Sequence, residues 1–179
     1  MTREEKIEQA RSLNASVEVL EKLALDGDWA IRREVARNPN TPVDVLEKLA
    51  SDEEWIVCRA VAKNSNTPMD VLVKLAVDKD SDVRYAVAKS KNTPEKVLAE
   101  MAEDERLPLN IRFAVAKNTN TPIVGLKKLE EDRDTYVRLE ATLSLERIKL
   151  RLVADAKERN AEKRGSVDAS DKNICMKQK

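Results

Sequence analysis

The tripeptide Asn-Thr-Pro occurs four times at nearly constant spacing, and a chain that repeats itself this way has few folds open to it. Thr41, Thr67, Thr93 and Thr121 lie 26, 26 and 28 residues apart. Two apolar pairs follow each of the first three motifs: Val45-Leu46 and Leu49-Ala50, Val71-Leu72 and Leu75-Ala76, then Val97-Leu98 and Met101-Ala102. An aspartate comes next, at Asp52, Asp78, Asp104 and Asp132. After it runs Val-Arg-x-Ala-Val-Ala-Lys, clearest from Val83 to Lys89 and from Ile111 to Lys117. Earlier copies begin at Asn14-Ala15-Ser16 and at Ile31, and a degenerate one covers Val137 to Ser144. A period of this length marks a solenoid, in which no unit buries its apolar face alone.

Each unit reads as two short helices, A and B. Thr41 is expected to cap helix A with its hydroxyl, and Pro42 suits the first helical position because no partner is needed there for an N–H. Asp44 and Asp70 put carboxylates at the positive end of the helix. Val45, Leu46, Leu49 and Ala50 then form one apolar stripe. Helix B follows the aspartate, which can cap it, and buries Val57, Ala60 and Val61. Asn38, Asn64 and Asn118 are expected to end it in the left-handed conformation that Asn tolerates, with Ser90 a weaker terminator. Helices this short do not persist alone in water, so stacking must hold them.

Composition narrows the chemistry. The chain has no His, which removes the commonest general base and metal ligand. Its three glycines, Gly27, Gly125 and Gly165, are far apart, so no Gly-rich phosphate loop can be drawn. Cys58 and Cys175 offer no zinc or iron–sulfur spacing. The expectation is no enzyme and no cofactor or metal. Lys+Arg and Asp+Glu are equal at 33 each, a balance that disfavours a nucleic acid partner. No apolar run approaches membrane-spanning length, and Met1 to Lys6 is charged with no apolar stretch behind it. A cytoplasmic protein without membrane contact is expected.

The recurring Asn-x-Asn-Thr-Pro, Leu-Ala-x-Asp and Val-Arg-x-Ala-Val-Ala blocks resemble the leucine-rich repeat variant, or LRV, family over about residues 12–145. The resemblance implies a right-handed superhelix whose repeats pair an α-helix with a shorter, partly 3₁₀ helix. It also implies kinship with HEAT-like solenoids, whose usual work is binding macromolecules. Some LRV proteins carry a cysteine-rich iron–sulfur module ahead of the repeats; this chain has no cysteine before Cys58. The fold expected is therefore an all-α solenoid of about five two-helix repeats over 1–145. A C-terminal capping helix is expected over 146–162, with Leu145, Ile148, Leu152 and Ala156 at helical spacing. Residues 163–179 read as a disordered tail containing Ile174-Cys175-Met176.

Two columns run along the B helices at about 100° per residue. One holds Arg32, Cys58, Arg84, Arg112 and Arg138, with Trp29 and Trp55 nearby. The other holds Arg33, Arg59, Tyr85, Phe113 and Leu139. Two readings stand for the first. It is either a structural ladder paired with the preceding aspartates Asp26 to Asp132, in which Arg59 substitutes for the missing arginine at Cys58, or a site for an acidic ligand. Cys58 itself reads as a small buried filler without a base. Tyr85, Phe113 and Leu139 are expected under the C-terminal helix, and the tryptophans at seams between repeats. Trp29, Arg32, Trp55, Arg84, Arg112, Arg138, Tyr85 and Phe113 are the candidate partner-binding residues. The leading function is a scaffold for a protein or peptide partner; the alternative is nucleic-acid binding with the arginine column on phosphates.

Overall fold

The computed structural model describes the backbone of residues 1–176 and side chains as far as Arg159. Among the described residues it holds eleven helices and no strand. The first is α1 (Arg3–Arg11). Five A/B pairs follow: α2 (Val17–Leu23) with α3 (Trp29–Arg37), α4 (Val43–Leu49) with α5 (Trp55–Lys63), α6 (Met69–Leu75) with α7 (Ser81–Lys89), α8 (Glu95–Glu103) with α9 (Leu109–Lys117), and α10 (Ile123–Leu129) with α11 (Thr135–Met176). Both helices of a unit are α, and the A helix is generally the short one. The two residues that lengthen the 28-residue unit fall after Asp104, where Leu107 turns inward to be buried and Pro108 opens α9.

The core is one continuous cluster running the length of the stack. Helix A contributes Val45, Leu46 and Leu49 and their counterparts; helix B contributes Val57, Ala60 and Val61 and theirs. The odd B helices α1, α3, α5, α7, α9 and α11 each lie directly on the next. The A helices approach one another less closely, except at α8 and α10. There Gly125 replaces the valine of earlier units, and a Cβ added to it would sit 3.3 Å from Ala102 Cβ. Small residues on the B helices, Ala62, Ala88 and Ala116, are fully buried and permit the close approach. The tightly spaced B layer is thus the inner side of the array and the A layer the outer one.

The connecting motif works differently from its sequence reading. Pro42, Pro68, Pro94 and Pro122 occupy the extended N-cap position and give no side-chain cap. The threonine ahead of each points inward instead. Thr41, Thr67, Thr93 and Thr121 are buried and donate to Val35, Val61, Val87 and Val115 carbonyls at 2.5–2.6 Å. Each hydroxyl therefore adds a second donor to a carbonyl in the last turn of the preceding B helix, which already accepts the N–H of the residue closing that helix. The asparagines are not left-handed either: Asn38, Asn64 and Asn118 are extended, with φ near −70°. Asn64 Nδ2 reaches back one repeat to donate to Ala36 O (2.8 Å) and Asn38 O (2.9 Å), while its Oδ1 accepts from Asn66 N. Asn38 and Asn118 do the same, and Ser144 Oγ donates to Ala116 O at the equivalent place. A second ladder runs beside it, from Asn40, Asn66, Asn92 and Asn120 to Leu13, Pro39, Ser65 and Lys91 carbonyls. Asn, with two amide donors and an acceptor, makes two bonds back and one forward where the Ser144 hydroxyl makes a single bond back.

At the C-terminal end the last B helix and the expected cap are one helix, α11, because nothing after Ser144 interrupts it. It covers α9 and α10 and buries Leu145. Leu150, Leu152 and Val153 stay exposed, so the expected burial of Leu152 does not occur. The boundary expected at 162 and the tail with Ile174-Cys175-Met176 lie outside the residues whose side chains are described.

Candidate interaction surface

The arginine column faces into the stack. Arg32 Nε and Nη2 grip Asp52 of the following repeat at 2.6 and 2.9 Å, while Nη1 donates to Asp26 O of its own unit. Arg112 does likewise, with Nε 2.7 Å from Asp132, and donates to Leu107 O; it is 3% exposed. Lys6 on α1 occupies the same position and meets Asp26 at 2.6 Å. The pairing is therefore with the aspartate of the next repeat, and not the preceding one. Burial opposes the ionisation of Asp132, but hydrogen bonds from Arg112 and the Asp134 N–H, with the Arg112 charge, hold it below the usual carboxylate range. Each aspartate also accepts an N–H two residues on, as Asp52 does from Glu54, shaping the turn into helix B. The caps of the B helices themselves are Asp28 and Asp80, on Ala30 and Asp82 N–H. Asp134 likewise accepts the Tyr136 N–H at the start of α11.

The column has two breaks. Arg84 donates to Asp78 O (2.6 Å), but its Nε is buried without a partner among the described residues. Asp104, its expected mate, is instead 2.9 Å from Arg106 in the two-residue insertion. Arg138, at the end of the array, keeps Asp132 O and Thr135. Cys58 stands where arginine would be, buried, with Sγ 3.3 Å from Asp52 O. Burial, then the charges of Asp78 and Asp52, push its thiol up to about 11. It is a filler, as its sequence context suggests. The aspartate deprived of an arginine by Cys58 is Asp78, since Asp52 is held by Arg32; Arg59 does not substitute.

Arg59 belongs to the exposed face of the B layer, with the tryptophans. Arg33 lies over the Trp29 ring (5.3 Å), Arg59 over Trp55 (6.0 Å) and Lys89 over Tyr85 (5.6 Å). These pairs sit four residues apart on one helix, so Trp29 and Trp55 partner the second column and not the Arg32 column. Tyr85 and Phe113 are half-buried, side by side along a groove of about 330 Å³ with Lys89, Lys91 and Lys117. The C-terminal helix does not cover them, and Leu139 is exposed. A third column, missed in the sequence, completes this face: Arg37, Lys63, Lys89 and Lys117, each the last residue of its helix. Its signal was the lysine closing every Val-Arg-x-Ala-Val-Ala-Lys block. A groove of about 410 Å³ beside α3 and α5 is lined by Arg33, Arg37, Ile56, Arg59, Ala60, Lys63 and Asn64. Among the described residues no three Cys, Asp or Glu side chains form a metal-sized group, and no helix is long and apolar enough to cross a membrane.

A stack of two-helix units, stapled by Asn and Thr ladders and by Arg–Asp pairs, defines a helical repeat protein. Residues 29–54 match the family described as leucine rich repeat variant. Among solved structures, the crystal structure of an engineered protein is similar, at 23% identity and TM-score 0.46, over 81% of this chain and 87% of that one. No curated protein matches the chain.

Proposed function

We propose that the protein is a non-enzymatic scaffold that binds a protein or peptide partner on the exposed face of its B helices. One observation carries the reading. Three consecutive repeats hold a partly exposed aromatic ring with a cation over it, where a stack built for stability alone needs only solvated polar groups. Aromatic and arginine side chains on a rigid surface are the usual anchors of protein interfaces. The alternative, nucleic acid on the Arg32 column, loses its donors, because Arg32 and Arg112 are engaged by Asp52 and Asp132.

A displayed peptide library selected on the full chain should yield binders that lose capture on Tyr85→Ala with Phe113→Ala. Binders indifferent to that pair of substitutions would overturn the placement. Random duplex DNA should bind weakly at physiological salt; micromolar binding that falls steeply with salt would replace the proposal with the nucleic-acid one.

A further inference from the structure

We infer that the groove walled by Arg37, Arg59 and Lys63 is a carboxylate-binding site that seats an Asp/Glu-rich peptide segment, a statement that rests on the scaffold reading above. The cations around this groove differ in what neutralises them. Arg33 is spent on Glu34, at 2.5 Å, and the same buried carboxylate holds Arg11 at 2.9 Å. Arg37 reaches Glu34 only at 3.9 Å. Arg59 and Lys63 have no ion pair among the described residues, and Arg59 Nε is buried with no acceptor. Burial, then the positive charges of Arg59, Lys89 and Arg37, lower the affinity of Lys63 for its proton; Asp82 alone works the other way. Three cations thus face one groove with their charge largely uncompensated, and a buried guanidinium N–H left over. A carboxylate supplies what is missing, since it accepts two parallel N–H bonds from a guanidinium and neutralises the ammonium beside it.

The choice of a peptide over a nucleic acid follows from the rings. Single-strand binding uses open aromatic faces for base stacking. Here Trp29, Trp55 and Tyr85 already carry Arg33, Arg59 and Lys89, and the rings hold the cations in place. Lys89 and Lys117 continue the positive column past the groove, which suits a partner with further acids along its length.

Fluorescence anisotropy of the full chain with a labelled oligoglutamate, an oligoglutamine of equal length and an oligothymidylate tests this. Oligoglutamate should bind and oligoglutamine should not. Arg59→Gln with Lys63→Gln should weaken oligoglutamate about tenfold or more. Lys48→Gln with Lys96→Gln, on the outer layer, should leave it unchanged. Should the groove variant melt early, amide shift mapping on the wild-type chain decides: oligoglutamate must perturb α3, α5 and α7, and perturbation centred elsewhere overturns the site. No oligoglutamate binding, equal weakening by both variants, or tighter binding of oligothymidylate also overturns it. If displayed neutral peptides are still captured through Tyr85 and Phe113, only the carboxylate site falls. If no peptide of either kind is captured, the scaffold reading falls with it.

Discussion

The residue that does most per atom is the asparagine that closes a B helix, three residues before the threonine of Thr-Pro, as at Asn38, Asn64 and Asn118. Asn64 is buried and satisfies two carbonyls of the preceding unit that water cannot reach. Asn64→Ala leaves Ala36 O without its donor and Asn38 O with only the Thr41 N–H, and should cost about 1–3 kcal/mol in urea melts. The third unit offers the inverse experiment. Ser90 does not bond back, and its hydroxyl meets only Asn92 N, at 3.4 Å. Ser90→Asn should restore the rung and raise stability by about 1 kcal/mol; a loss would mean the ladder is incidental. These positions were visible in the sequence as helix terminators. Their bonding was not, because a left-handed cap and a bridge to the previous repeat demand the same residue type. Only the spacing of units in three dimensions separates the two.

At the scale of the elements, the sequence period located every A/B pair but not α1, which has no Asn-Thr-Pro ahead of it. Its signals were local: Thr2 and Glu5 form a capping box, and Lys6 lies one period before Arg32. The apolar stripes were legible because burial imposes them on each helix separately. The direction in which the arginine column pairs was not, since an array of equal rungs reads alike towards either neighbour. Melts of single variants resolve it. Arg112→Gln abandons a buried Asp132 and should cost about 3 kcal/mol, whereas Arg84→Gln, which has no carboxylate to lose, should cost about 1 kcal/mol. Equal costs would deny Asp132 its part. Cys58→Arg should raise the melting temperature by giving Asp78 the rung it lacks. Likewise Leu72→Ala, in the middle of the stack, should cost roughly 2–5 kcal/mol, and Leu20→Ala less, because the end repeats fray.

For the whole molecule, pH is the variable that reads the ladders together. Hydrogen bonds from Lys6 and the Asp28 N–H hold Asp26 below the usual carboxylate range. The Ala30 N–H and Arg3 do so for Asp28, and Arg106 for Asp104. Burial would raise Glu34 and Asp132, but their arginines outweigh it and leave both depressed. Each group binds its proton less readily in the folded chain than in the unfolded one. The stability they contribute is therefore present above the unfolded carboxylate values of about 4 and is lost as pH falls through the folded ones. The chain has no His, and burial pushes the Cys58 thiol up to about 11. Melting temperature should be flat from about pH 5.5 to 8 and drop below about pH 4. Salt should screen the exposed Arg3–Asp28 pair but spare the buried Arg112–Asp132 one. Asp132→Asn should lower the plateau and shallow the acid limb together. A melting curve that already declines near pH 6, or an acid limb untouched by Asp132→Asn, would place the acid sensitivity outside the ladder.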